Sequence, residues 1–197
     1  GGGARGGGAG GSGGTSAAVG TGLSEVPGSG GVERPKPGLP PPDSFCLLLE
    51  DVQDPGNVGS MIRTAAAAGV KQILLSRHCA FAWSPKVLRA AQGAHFLTTL
   101  VEDVELRAWI AAFRAQGGRV LATVVNGATA LDAADLSGRV AIAMGSEGSG
   151  LSGDLLTLVD QRITIPMAGG SESLNVAAAA AVILFEAARQ RRSGRSD

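Results

Sequence analysis

Val140-Ala141-Ile142-Ala143-Met144-Gly145-Ser146-Glu147-Gly148-Ser149-Gly150-Leu151-Ser152-Gly153 passes from an unbroken apolar run into a turn crowded with glycine. Five apolar residues in a row suit a parallel strand buried on both faces. The glycines behind it tolerate positive φ and let a ligand come close to the backbone. A short helix is expected over Gly153 to Leu158, then a strand over Gln161 to Ile165, closed by Pro166. Strand, loop, helix, strand is the order of an α/β domain with a parallel sheet covered on both faces.

The alternation continues on either side. Phe45 to Glu50 is another continuous apolar run. Asp54-Pro55-Gly56-Asn57 is a turn cluster in which Asn57 is expected to cap a helix reaching about Ala68 and stopping at Gly69. Gln72 to Ser76 reads as a strand, and Ser84-Pro85 opens a helix through about Ala91. His95 to Leu100 is expected as a third strand. Asp103 begins a helix whose Leu106, Ile110 and Phe113 recur at helical spacing, ended by Gly117-Gly118. Arg119 to Val125 is a strand. The last helix is expected to start near Ser173, its cap, and run to about Arg191.

Composition narrows the function classes. The 197 residues carry 17 Lys plus Arg against 17 Asp plus Glu, so any nucleic-acid contact must come from a local patch. Apolar residues make up 44 % and charged ones 17 %, which fits a globular core and excludes a wholly disordered chain. No apolar run reaches the roughly 18 residues of a membrane-spanning helix. Cys46 and Cys79 lie far apart and form neither a disulfide framework nor a zinc site, so a reducing, cytoplasmic setting is expected. Residues 1–44 hold 16 of the 31 Gly and 6 of the 9 Pro and read as a flexible tail or linker, with 45–197 as the folded domain. One Arg-Gly-Gly step, Arg5 to Gly7, is a faint sign of RNA binding in that tail.

In such sheets ligands sit beyond the carboxyl ends of the strands, and three turns there are unusual. The first, "DPGNVGSMIRTAAAAG" (54–69), puts Arg63 six residues after Asn57, an arrangement suited to an anion or equally to a cap and a solvated charge. The second contains Gly148, Gly150 and Gly153, a formal G-x-G-x-x-G. A dinucleotide fold opens with that turn and needs an acidic residue at the end of a strand about 20 positions on, and neither condition is met. The third, from Ile165 through Met167 and Ser173-Leu174-Asn175, leads into an alanine run that permits close packing or is simply a good helix former.

Taken together, "DPGNVGSMIRTAAAAG", "AMGSEGSGLS" and "ITIPMAGGSESLNVAAAAAVILFEA" resemble the three motifs of the SpoU, or TrmH-like, RNA ribose 2′-O-methyltransferases of the SPOUT superfamily, over about residues 46–192. The resemblance implies a parallel-sheet α/β knot with a deep C-terminal trefoil, a bent S-adenosylmethionine in the knot, and a homodimer with its site near the subunit interface. It implies cofactor contacts at Thr123, Gly145, Ile165, Met167 and Leu174, and functional polar positions at Asn57, Arg63, Glu147, Ser173 and Asn175. The reaction implied is in-line attack of a ribose 2′ oxygen on a methyl already activated by sulfonium charge, with no metal. Arg63 either takes the proton or binds the neighbouring phosphate and positions the hydroxyl.

Arg77, Lys86 and Arg89, the latter two on one helix face, are candidate RNA contacts. The wording around 83–96 resembles ribosomal-RNA members more than transfer-RNA ones. The separate N-terminal RNA-binding domain of many relatives has only the Gly-rich tail in its place. Either it lies on an upstream segment, since the chain opens on Gly1 rather than Met, or the core recognises RNA unaided. The competing readings are a non-catalytic knotted RNA-binding or ribosome-assembly factor and a nucleotide-dependent oxidoreductase.

Overall fold

The computed structural model describes Gly38, Pro40, residues 44–169 and residues 173–194. Most of the stretch 1–44, with Arg5 to Gly7, and also Gly170 to Glu172 and Arg195, lie outside the described residues. Seven strands are described: β1 Phe45–Leu49, β2 Gln72–Leu75, β3 Thr99–Val101, β4 Arg119–Thr123, β5 Thr129–Ala130, β6 Val140–Met144 and β7 Gln161–Thr164. They pair in parallel in the order β3-β2-β1-β6-β4-β7-β5. The helices are α1 Pro55–Ala68, α2 Pro85–Ala91, α3 Leu106–Ala115, α4 Gly153–Leu156 and α5 Val176–Ser193.

Every residue of the central pair, β1 and β6, is buried, as their continuous apolar runs require. Alternate side chains serve two layers. Leu47, Leu49, Ile142 and Met144 pack with Met61 and Ile62 of α1 and Ile183 and Leu184 of α5. Leu48, Ala141 and Ala143 face the opposite layer with Trp109, Ile110 and Phe113 of α3. The register pairs Leu49 with Met144, so β1 and β6 end level and their following turns leave side by side. Gly59 lets α1 cross α2 closely, since a Cβ there would meet the Ala90 methyl and, at 2.8 Å, the Val87 carbonyl oxygen.

Three expectations are corrected. Asp54, not Asn57, caps α1: its carboxylate accepts from the Asn57 N–H at 2.8 Å, and Pro55 supplies the first helical φ. Asn175, not Ser173, caps α5, because its side-chain oxygen reaches the Ala177 and Ala178 N–H groups at 2.9 and 3.2 Å. His95 is not in a strand. Gly93 turns the chain with φ +83°, and Ala94–Phe96 forms a 3-10 turn that points the His95 ring inward, leaving only Thr99–Val101 for pairing. Strand β5 was not anticipated, since two residues are too short to show a period.

Candidate active site

The turns after β1 and β6 and the segment before α5 converge at the carboxyl end of the sheet. Asn57 and Asn175 both donate their side-chain N–H groups to one oxygen of Glu147, Asn175 at 3.0 Å. Asn175 also donates to the Asn57 side-chain oxygen at 3.3 Å. These residues are 90 and 118 positions apart from Asn57 in the chain, so the contact exists only in the fold. The caps make it possible. Asp54 takes over the start of α1 and frees the Asn57 amide. Asn175 uses its oxygen for α5 and its nitrogen for Glu147. The second Glu147 oxygen has no partner among the described residues.

Glu147 stands at the edge of a cavity of about 400 Å³, within the range of roughly 300–1,000 Å³ usual for small-molecule sites. Thr123, Gly145, Ile165, Met167, Ser173 and Leu174 all line it. The loop between them is compact: the Gly150 N–H donates to the Ser146 carbonyl at 2.9 Å, with Gly150 at φ +64°. A side chain at Gly145 would collide with the Gly150 carbonyl group and the Leu151 nitrogen, so only glycine lets this turn close. Most of the remaining lining is apolar, with Ser149 and Thr164 among it, and Met167 and Leu174 remain 48 % and 39 % exposed, hydrophobic surface that a bound molecule would cover.

Glu147 is the only charged residue among the described lining residues, and no Lys or Arg faces the cavity there. That arrangement favours a cation and disfavours a pyrophosphate, so the lining does not fit a dinucleotide. Arg63 is exposed on α1 and makes no hydrogen bond or ion pair among the described residues. Arg77, Lys86 and Arg89 are likewise exposed and unpaired there, and none lines the cavity.

One residue of this region escaped the sequence reading. Glu50, at the end of β1, accepts from the Ser152 N–H at 2.6 Å and from its hydroxyl at 2.8 Å. Ser152 also caps α4. The pair clamps the far end of the Gly145–Ser152 turn to the start of the first turn. A lone acid closing an apolar strand gives no sign of a partner 102 residues on.

The SpoU rRNA methylase family model matches residues 44–185. The chain belongs to this family. As a SpoU-family chain, it is 39 % identical over 139 residues to the Bacillus subtilis 23S rRNA (guanosine(2553)-2'-O)-methyltransferase RlmP, covering 71 % of this chain and 56 % of that protein. The crystal structure of the SpoU methyltransferase AviRb from Streptomyces viridochromogenes, in complex with the cofactor AdoMet, is 36 % identical with a TM-score of 0.73, covering 79 % of this chain and 63 % of that one. A structure concerned with 2-OH methylation of C/U34 on tRNA is 32 % identical with a TM-score of 0.69, covering 78 % of this chain and 99 % of that one. The chain spans about half the length of the curated relatives it matches.

Proposed function

We propose that this chain is the catalytic part of an S-adenosylmethionine-dependent methyltransferase that modifies a ribose 2′-hydroxyl in ribosomal RNA. The observation that carries the reading is the meeting of Asn57, Glu147 and Asn175, from three remote segments, at a cavity whose one charged residue among the described lining is acidic. An acidic residue on a largely apolar pocket suits an adenosine joined to a sulfonium, and the ribosomal-RNA relatives support the substrate class.

In this reading Thr123, Gly145, Ile165, Met167 and Leu174 hold S-adenosylmethionine, which supplies a methyl group activated by sulfonium charge. Glu147 contributes negative potential at the cavity edge. Asn57 and Asn175 fix its carboxylate, and Ser173 adds a hydroxyl to the same wall. Arg63 binds the phosphate beside the reacting sugar and positions the hydroxyl, or receives its proton; the first role suits the planar five-donor fork of a guanidinium. A 2′-hydroxyl acceptor restricts the substrate to RNA.

The finer architecture belongs to the same proposal. Residues 45–197 are the catalytic domain and 1–44 a tail or linker. The fold is an α/β knot whose C-terminal part is threaded through a loop as a deep trefoil, a reading supported by Leu174 and Gly145 sharing one cavity. The chain works as a homodimer, since α5 leaves Val182 and Phe185 43 % and 46 % exposed at helical spacing. The setting is cytoplasmic, in keeping with two free cysteines; among the described residues no helix is long and apolar enough to cross a membrane.

Calorimetry of the full chain with S-adenosylmethionine and with NAD, followed by methyl transfer to ribosomal RNA and ribose mapping, tests this. Binding of the first cofactor alone and one methylated ribose are expected. NAD binding would indicate the oxidoreductase, and cofactor binding with no transfer to any RNA the assembly factor.

A further inference from the structure

From Pro55 to Val101 the chain carries Arg63, Lys71, Arg77, Lys86 and Arg89 and no Asp or Glu, although the whole chain has 17 charges of each sign. This stretch builds α1, β2 and α2 and the loop joining the last two, one side of the molecule. Within it, residues 77–84 bring two aromatic side chains to the surface: Phe81 is 61 % and Trp83 44 % exposed. Arg77, Lys86 and Arg89 flank them in sequence, are exposed, and make no ion pair among the described residues.

The loop is anchored at several points, so its aromatics are held in place. The Ala80 N–H donates to the Val52 carbonyl at 2.9 Å, and the Ser76 hydroxyl donates to Asp51 at 2.8 Å. Both bonds tie it to the turn between β1 and α1, the helix that carries Asn57. The Ala82 N–H donates to Glu102 at 3.2 Å, which occupies the acid nearest in sequence. His95, 5 % exposed, bonds the Ala82 carbonyl through Nε2 at 2.6 Å. A carbonyl can only accept, so Nε2 carries the proton. The same imidazole packs on the Trp83 indole with ring centroids 4.7 Å apart. One side of the indole is thereby fixed, and the exposed remainder is open.

We propose that residues 77–92 form a stacking lip for substrate RNA. An unpaired base beside the target nucleotide lies on Trp83 and Phe81, and Arg77, Lys86 and Arg89 hold the adjoining phosphates. Exposed rings give sequence-tolerant affinity for single-stranded RNA, and cations that make no ion pair among the described residues match its backbone. The lip adjoins the first turn of the site, so a strand seated on it continues toward Arg63 and the cavity. This rests on the RNA methyltransferase reading above and adds that the core itself recognises unpaired RNA.

The test uses the full chain, a mixed-sequence single-stranded RNA oligonucleotide and the duplex of the same sequence. The chain has two tryptophans, and Trp109 is 5 % exposed, so quenchable fluorescence reports Trp83. Quenching by the single strand and not the duplex is expected. Phe81→Ala and Trp83→Ala should each weaken single-strand binding about tenfold, Trp83→Phe should retain most of it, and S-adenosylmethionine binding should stay unchanged. Phe81→Ala leaves the Trp83–His95 contact intact and decides the matter where Trp83→Ala fails to fold. Equal quenching by duplex, unchanged affinity in Phe81→Ala, or a change in molecular mass on removing the rings would overturn the proposal, the last by making the patch an interface between copies. If ribosomal RNA is methylated without quenching, only the lip fails. If the lip binds RNA and S-adenosylmethionine does not bind, only the methyltransferase reading fails.

Discussion

Asn175 performs two tasks with one amide, and they can be separated. Its oxygen caps α5 through the Ala177 and Ala178 N–H groups, and its nitrogen donates to Glu147 and Asn57. Asn175→Ala should lose activity and about 1 kcal/mol of stability by thermal unfolding. Asn175→Asp keeps a capping oxygen but loses the donor and sets a carboxylate against Glu147. It should recover most of the cap and none of the activity; recovered activity would mean that the contact to Glu147 is dispensable. Arg63 stands outside this network, exposed on α1. Arg63→Ala should lower methyl transfer by about 100-fold or more with S-adenosylmethionine affinity unchanged, and lost affinity would refute a role confined to the RNA side.

Secondary-structure elements bring these residues to the site through close contacts that leave little slack. Helix α1 crosses α2 at Gly59, where the nearest neighbours of an added methyl include the Val87 carbonyl and the Ala91 nitrogen, backbone that cannot turn aside. Gly59→Ala should therefore push the helices apart and cost about 1–3 kcal/mol in chemical denaturation. Activity should fall with it, because α1 carries Asn57 and α2 follows the loop tied to Val52. Loss of stability without loss of activity would show that the helix crossing does not set the position of Asn57. The clamp of Glu50 on Ser152 operates on the same scale, holding one turn against another across adjacent strands.

The molecule as a whole protects its central strands. Cys46 lies on β1 with no exposure, and burial pushes its thiol up to about 12, although Arg139 and Arg191 pull in the other direction. The unfolded thiol titrates near 9, so the folded thiol stays neutral while the unfolded one ionises. Stability is then fully present below about pH 9 and declines as pH rises from there toward 12. Thiol labelling of Cys46 at neutral pH should proceed only as fast as the domain opens, and faster labelling would show local opening at β1.

The sheet, most helices and all three turns were legible because their information is local: apolar runs of strand length, glycine after strands, and wording shared with relatives. Which residue of a turn caps its helix was not legible. Asp54 and Asn57, or Ser173 and Asn175, are alike in chemistry, and only backbone placement chooses between them. The two-residue strand β5, the inward His95, and the Glu50–Ser152 clamp depend on partners far away in the chain. The sequence alone determined the α/β class, the family resemblance and the identity of the polar and glycine residues. Tertiary structure alone decided that Asn57, Glu147 and Asn175 meet at one carboxylate oxygen, because contact between positions 90 and 118 residues apart follows from strand order and register, which no local pattern encodes.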